Sequence, residues 1–263
     1  IGFKAELTSA DPHVLNGANR NVWVHVYESL TFQDASLRPT PGLALSWRMV
    51  SDRAWEFKLR PGVPFQNGAP LTAADVKYSI ERAMNLQGPR TFRTYLRDVA
   101  RVMVKDPLTV VVETRRLSPT LPENVGMIAI LPASLGKVDE SAFATGAAAI
   151  GTGPYRFSSW SHGQKLVLLR NDNYWGAREP WSRVTFQFVP REPARAAALL
   201  SNSVDIVNDV TTHMEHAFRD YRIVTETSYM LNYLSMDQSR ASSPYVMDQA
   251  GRPLADNPLR SRL

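Results

Sequence analysis

The sequence predicts an α/β fold, and three patterns carry that expectation. In Trp55-Glu56-Phe57-Lys58-Leu59, apolar and charged residues alternate with the period of two that marks a half-buried strand. Beyond Thr72, the residues Val76, Ile80, Ala83 and Met84 recur at helical spacing, which puts Lys77, Glu81 and Arg82 on the water-facing side. After Gly151, alternating runs at Lys165–Leu169 and Val184–Val189 are followed by an Ala- and Leu-rich helix over Pro193–Ser201, with Pro near its first turn.

The remaining elements follow in chain order. A short strand-like start leads to a helix-like stretch at Asn19–Leu30. A loop at Pro41-Gly42-Leu43-Ala44 opens into a strand bearing Trp47. Arg60–Val63 and Gln66–Pro70 are turn chemistry, because Pro sets φ and Asn-Gly tolerates a positive φ. Thr72 with Asp75 three residues later resembles a capping box. Val102 and Val104 alternate before Lys105-Asp106-Pro107, and Thr109–Glu113 completes a hairpin. Ser118–Pro122 and Gly146–Gly153 are linker-like. Asp256-Asn257-Pro258-Leu259-Arg260 reads as a helix start, with a polar cap and Pro at the first position. These elements predict two intertwined units: a discontinuous one built from residues 1–44 and 150–263, and an inserted α+β subdomain over 45–149.

Composition narrows the function. The 263 residues can bury one or two cores, and 10% aromatic with 21% charged residues describes a folded chain. The absence of cysteine removes thiol catalysis, disulfides and cysteine–zinc sites. No apolar run approaches the ~18 residues of a membrane span. The net charge of +5 raises the question of nucleic acid, but the cations are dispersed. The densest groups, Arg90/Arg93/Arg97 and Arg191/Arg195, are interleaved with Asp98 and Glu192, which predicts a solvated face and no nucleic-acid partner.

One block goes beyond composition. Pro41-Gly42-Leu43-Ala44, Ser46-Trp47, Trp55, Phe57, Leu59-Arg60, Gly62-Val63, Phe65, Asn67-Gly68, Pro70, Thr72-Ala73, Asp75-Val76, Tyr78-Ser79 and Arg82 form a single ordered pattern. It resembles the signature region of the family 5 solute-binding proteins of ABC transporters. Other segments keep the family order: Asp11-Pro12-His13, Tyr27-Glu28-Ser29-Leu30, Gly151-Thr152-Gly153-Pro154-Tyr155, Trp160, Leu169-Arg170-Asn171 and Tyr174-Trp175-Gly176. Val204-Asp205-Ile206 resembles the strand that follows a short helix, although Ser203 stands where the family usually has Glu.

The resemblance implies a periplasmic-binding-protein-like fold of class II type: a mixed-sheet lobe with an inserted α+β subdomain, its second lobe absent from this chain. It implies a periplasmic, monomeric solute-binding component of an ABC importer. Such a component takes a peptide or peptide-like ligand without a cofactor and hands it to membrane permease subunits. Three stretches are expected at the ligand. The first is Asn16, Gly17 and Ala18, where glycine admits close backbone approach and Asn16 offers an amide. The second is Met230, Asn232 and Tyr233, in an extended segment suited to strand addition. The third is Phe92 and Tyr95, which offer flat apolar surface. The groups that hold a peptide's termini are expected in the second lobe.

Other chemistries have weaker signals. His213 and His216 stand at i, i+3, too few ligands for a metal site without cysteine. Pro154 removes an amide donor that a phosphate loop needs, and no G-x-S-x-G elbow is present. A ligand-sensing module on the same scaffold is the alternative function, and an enzyme is a more remote one.

Overall fold

The computed structural model describes residues 1–88, 90–225 and 240–258. Two compact units are present, Ile1–Thr211 and Thr212–Leu263.

The first unit holds the predicted elements. In chain order they are β1 (Gly2–Phe3), α1 (Gly17–Trp23), β2 (Thr31–Gln33), β3 (Pro39–Pro41), β4 (Ala44–Ser51), β5 (Ala54–Leu59), α2 (Ala73–Asn85), β6 (Val99–Asp106) and β7 (Thr109–Thr114). Then come α3 (Leu121–Val125), α4 (Glu140–Ala144), β8 (Tyr155–Ser161), β9 (Lys165–Arg170), β10 (Arg183–Phe188) and α5 (Glu192–Leu200). The strands form a mixed sheet in the order β1-β10-β9-β8, a small β2-β3 ribbon, and a sheet in the order β4-β5-β7-β6. Among the described residues, only β1 runs parallel to its neighbour in the mixed sheet.

The alternation read from Trp55–Leu59 becomes the central strand β5. Its Phe57 and Leu59 are buried, while Glu56 turns to the other face and meets Arg48 at 3.0 Å and Lys105 at 2.7 Å. The predicted β6–β7 hairpin pairs antiparallel, and α2 packs across it. The capping box at Thr72 is present, and the Asp75 carboxylate also accepts the Ala133 amide at 2.7 Å. One apolar cluster gathers Leu43, Phe57, Val76, Ile80, Val110 and Ile130 between α2 and this sheet. A second joins Phe3, Val22, Trp23, Leu166, Leu168 and Phe186 under the mixed sheet.

Three expectations change. The helix expected over Asn19–Leu30 spans Gly17–Trp23 instead. The cause is competition for carbonyls. His25 O accepts the Tyr155 amide at 2.9 Å and Val26 O accepts the Gly153 amide at 3.0 Å, so this stretch is drawn to the start of β8 rather than into further helical bonds. The strand expected at Val204-Asp205-Ile206 is a single parallel bridge between Gly2 and Val207, with Gly2 N–H donating to Ile206 O at 2.7 Å. Arg82, expected to face water, is drawn inward, with its side chain only 11% exposed. The helix expected from Asp256 runs into residues 259–263, outside the described residues.

In the second unit Thr212–Phe218 forms a 3₁₀ turn, and the Phe218 ring meets Tyr221 edge-on at 6.0 Å. A turn follows at Asp248–Arg252, where the Asp248 carboxylate accepts the amides of Ala250 and Arg252.

Candidate functional site

The loop ahead of α1 is held by a buried polar clamp. Arg82 on α2 reaches Asp11 with two parallel hydrogen bonds, at 3.0 and 2.6 Å. Its Nη1 also donates to His13 Nδ1 at 2.9 Å, and His13 Nε2–H donates to Ala129 O at 2.8 Å. These bonds define a neutral imidazole protonated on Nε2. Burial, reinforced by the Arg82 charge, lowers the His13 pKa to about 4. The Arg82 guanidinium also lies 5.0 Å from the centre of the Phe143 ring.

Past the clamp, the Asn16 side-chain oxygen accepts the amides of Ala18 at 2.9 Å and Asn19 at 3.3 Å, capping α1. That commits the Asn16 acceptor and leaves its NH2 group for other contacts. Gly17 opens the helix with nothing within 4 Å of where a Cβ would stand. The inner face of α1 is pinned on both sides. Thr8 N–H donates to Asn19 Oδ1 at 2.9 Å, and Trp23 Nε1–H donates to Ser9 O at 3.0 Å.

The structure brings the first and third predicted stretches together. Leu15 N–H donates to Arg90 O at 3.0 Å, and Val14 bridges Thr91. Phe92 and Tyr95 follow in a 3₁₀ turn, with ring centres 5.9 Å apart. Phe92 is 1% exposed and packs in the first apolar cluster, whereas Tyr95 is half-buried. Beside Phe92 lies a cavity of about 30 Å³, lined also by Arg20, Trp23, Tyr27 and Met127, while Asn16, Gly17, Ala18 and Tyr95 do not line it. Among the described residues the buried Tyr27 hydroxyl has no hydrogen-bond partner. Burial first, and the nearby Asp11 second, push its pKa up, so it stays a neutral phenol. Met230, Asn232 and Tyr233 lie outside the described residues.

Sequence reasoning missed Arg20 and Tyr27. The available signal was a lone cation three and four residues before Trp23 and Val24, on what the spacing makes an apolar helix face.

Two further constellations explain the other motifs. Glu28, 2% exposed, accepts from Tyr174 Oη at 2.9 Å and Trp175 Nε1 at 2.8 Å. Burial raises its pKa, and the bonds from Trp175 and Tyr174 only partly offset this. The Arg60 guanidinium stacks 4.6 Å from the centre of the Trp175 ring. Gln66 Nε2 donates to the carbonyls of Tyr155 at 2.8 Å, Gly153 at 3.2 Å and Val26 at 3.3 Å, stapling the turn after β5 to the start of β8. Gly151 and Gly153 allow this closeness: a Cβ on Gly151 would lie 1.9 Å from Val26 O. Among the described residues no group of three or more His, Asp or Glu could hold a metal ion, and no helix is long and apolar enough to cross a membrane.

The profile of the bacterial extracellular solute-binding proteins, family 5 Middle, matches residues 38–261. The chain is 28% identical over 254 residues to the probable D,D-dipeptide-binding periplasmic protein DdpA of Escherichia coli, covering 89% of this chain and 49% of that protein. It superposes with a TM-score of 0.72 and 26% identity on the oligopeptide-binding protein AppA of Bacillus subtilis in complex with a nonapeptide, covering 83% of this chain and 44% of that one. It superposes equally well, with a TM-score of 0.74 and 26% identity, on AgaA from A. tumefaciens R10 in complex with agropinic acid, covering 83% and 44%. The chain thus spans between 27% and 49% of the length of the curated relatives it matches.

Proposed function

This chain belongs to the bacterial extracellular solute-binding proteins of family 5, and from that premise we propose that it captures a peptide or peptide-like solute for an ABC importer. The observation that carries the reading is the junction of Val14 and Leu15 with Thr91 and Arg90, which sets the capped start of α1 beside the Phe92 turn and a cavity lined by Arg20 and Phe92, on a fold shared with a nonapeptide-binding protein. A match to roughly half the length of its relatives supports a division in which this chain supplies one wall of the ligand cleft. The second apolar cluster, which joins Phe3, Val22 and Trp23 to Leu166, Leu168 and Phe186, supports a discontinuous lobe drawn from both sides of an inserted subdomain over 45–149. The protein works as a periplasmic monomer, performs no chemistry on the solute and passes it to membrane permease subunits.

The test is thermal unfolding of the protein encoded by the complete gene, with di- to pentapeptides titrated in. Binding to the folded state stabilises it by RT ln(1 + [L]/Kd), about 2.7 kcal/mol at a hundredfold excess over Kd. A rise in melting temperature with peptide concentration is expected. A melting temperature unmoved by every peptide, but raised by an opine or a metal chelate, would replace the peptide reading with that solute.

A further inference from the structure

We infer that Arg20 is an anchor for the carboxylate of the bound solute, in the peptide case its C-terminal carboxylate. This rests on the peptide reading above and names the end of the ligand that this chain holds.

Four observations carry it. First, Arg20 is a half-buried guanidinium whose only side-chain hydrogen bond among the described residues is a long one, 3.5 Å from Nη2 to Gly126 O. Among the described residues no carboxylate lies within ion-pair distance of it. Its situation contrasts with Arg82, whose similarly buried charge is matched by Asp11. A guanidinium removed from water without an anion is costly, and five N–H donors in a fixed fork suit a carboxylate. Second, Arg20 lines the cavity of about 30 Å³ described above, room for about two water-sized groups and therefore for the two oxygens of one carboxylate. Third, the side chain is pre-positioned. Asn16 caps the helix that bears it, and Asn19 and Trp23 fix the roll of that helix through Thr8 and Ser9. Gly126, which accepts its one bond, is itself held fast, since a Cβ there would lie 2.6 Å from Thr31 Oγ1. Fourth, the neighbouring loop adds positive potential. Arg90 and Arg93 are exposed and have no acidic partner among the described residues, while Asp98, the nearest acid in sequence, is engaged by Arg116 at 2.8 Å.

The arrangement places a terminus-binding cation on this chain, whereas the sequence resemblance assigns such groups to the other lobe. A short solute would then lie with its acid end over α1 and its body along the Phe92–Tyr95 turn.

Calorimetric titration of the protein encoded by the complete gene tests this with a pool of Ala- and Leu-containing di- to pentapeptides. Each is used as the free acid and as the C-terminal amide, and side-chain acids are excluded. The wild type should bind the acids about ten- to a hundredfold more tightly than the amides, the range expected for a charge-assisted bidentate pair. Arg20→Gln should abolish that preference, and Arg20→Lys should retain part of it. The acid–amide comparison in the wild type needs no variant, so misfolding of a substitution does not blunt the test. Equal wild-type affinity for acids and amides overturns the assignment and leaves the peptide reading standing. A preference that survives Arg20→Gln also overturns it, because the carboxylate is then held elsewhere. If neither form binds, the peptide reading fails and takes the assignment with it.

Discussion

Lowering the pH should loosen the clamp between the Asp11–His13 loop and α2, and the size of the effect follows from His13. The neutral ring uses both nitrogens: Nδ1 accepts from Arg82 and Nε2–H donates to Ala129 O. Protonation would aim a second N–H at a guanidinium in a site shut off from water. The folded-state pKa of about 4 therefore lies below the ordinary value of 6.5. A base with a depressed folded pKa contributes stability above its unfolded pKa, and that stability drains away as the pH falls towards the folded value. In this window the unfolded state binds more protons, so stability rises with pH. Between about pH 7.5 and pH 4.5 the loss amounts to roughly 2.5 kcal/mol, from a gap worth about 1.36 kcal/mol per unit. Carboxylates titrate in the same range. Glu28, with its raised pKa, contributes with the opposite sign, so the difference between two proteins is the clean quantity. His13→Gln can still accept from Arg82 and donate to Ala129 O but does not titrate. Urea unfolding of both proteins at intervals across this range should give curves that converge as the pH falls, the wild type losing its advantage. Parallel curves, with a gap constant to within about 0.5 kcal/mol, would falsify the assignment of a neutral, clamped His13.

Two further perturbations test the packing. Gly151→Ala drives a methyl group into the Val26 carbonyl, a backbone atom that cannot swing aside. It should cost more than about 3 kcal/mol, whereas Gly17→Ala, with open space around it and a helical position, should change stability by less than about 1 kcal/mol. Similar melting temperatures for the two variants would contradict the close approach. Glu28→Ala removes the acceptor for Tyr174 and Trp175. The loss should be about 2–4 kcal/mol in denaturant unfolding, because two donors are left without their partner. A change below about 0.5 kcal/mol would mean that the pair finds water instead.

Most of the elements were legible in the chain because their causes are local. Alternation at Trp55–Leu59 and the cap at Thr72 act within a few residues, and β5 and α2 appear where those patterns place them. The helix at 17–23 was misjudged because its end is set by distant residues: Tyr155 and Gly153 claim the carbonyls of His25 and Val26. Arg82 was misjudged for the same reason. Helical spacing puts it on the outer face, and only the loop folded over it from residues 11–13 turns that face into an interior. At the candidate site, Asn16–Ala18 and Phe92–Tyr95 were visible as motif positions, but their meeting through Leu15 and Arg90 was not. The lone cation on an apolar helix face is the one mark Arg20 leaves in the chain, and it gains meaning only when α1 is capped, rolled and set beside a cavity.

The sequence by itself determined that this is an α/β chain of family 5, because strand alternation, turn residues and caps act over short range and their order is a long, specific pattern. Tertiary structure alone decided which polar groups are satisfied and which are not. Asp11 with Arg82 and Glu28 with Trp175 are pairs separated by more than seventy and more than a hundred positions. The burial that makes such pairs matter, and that leaves the Arg20 charge without a carboxylate among the described residues, exists only once the sheets have packed.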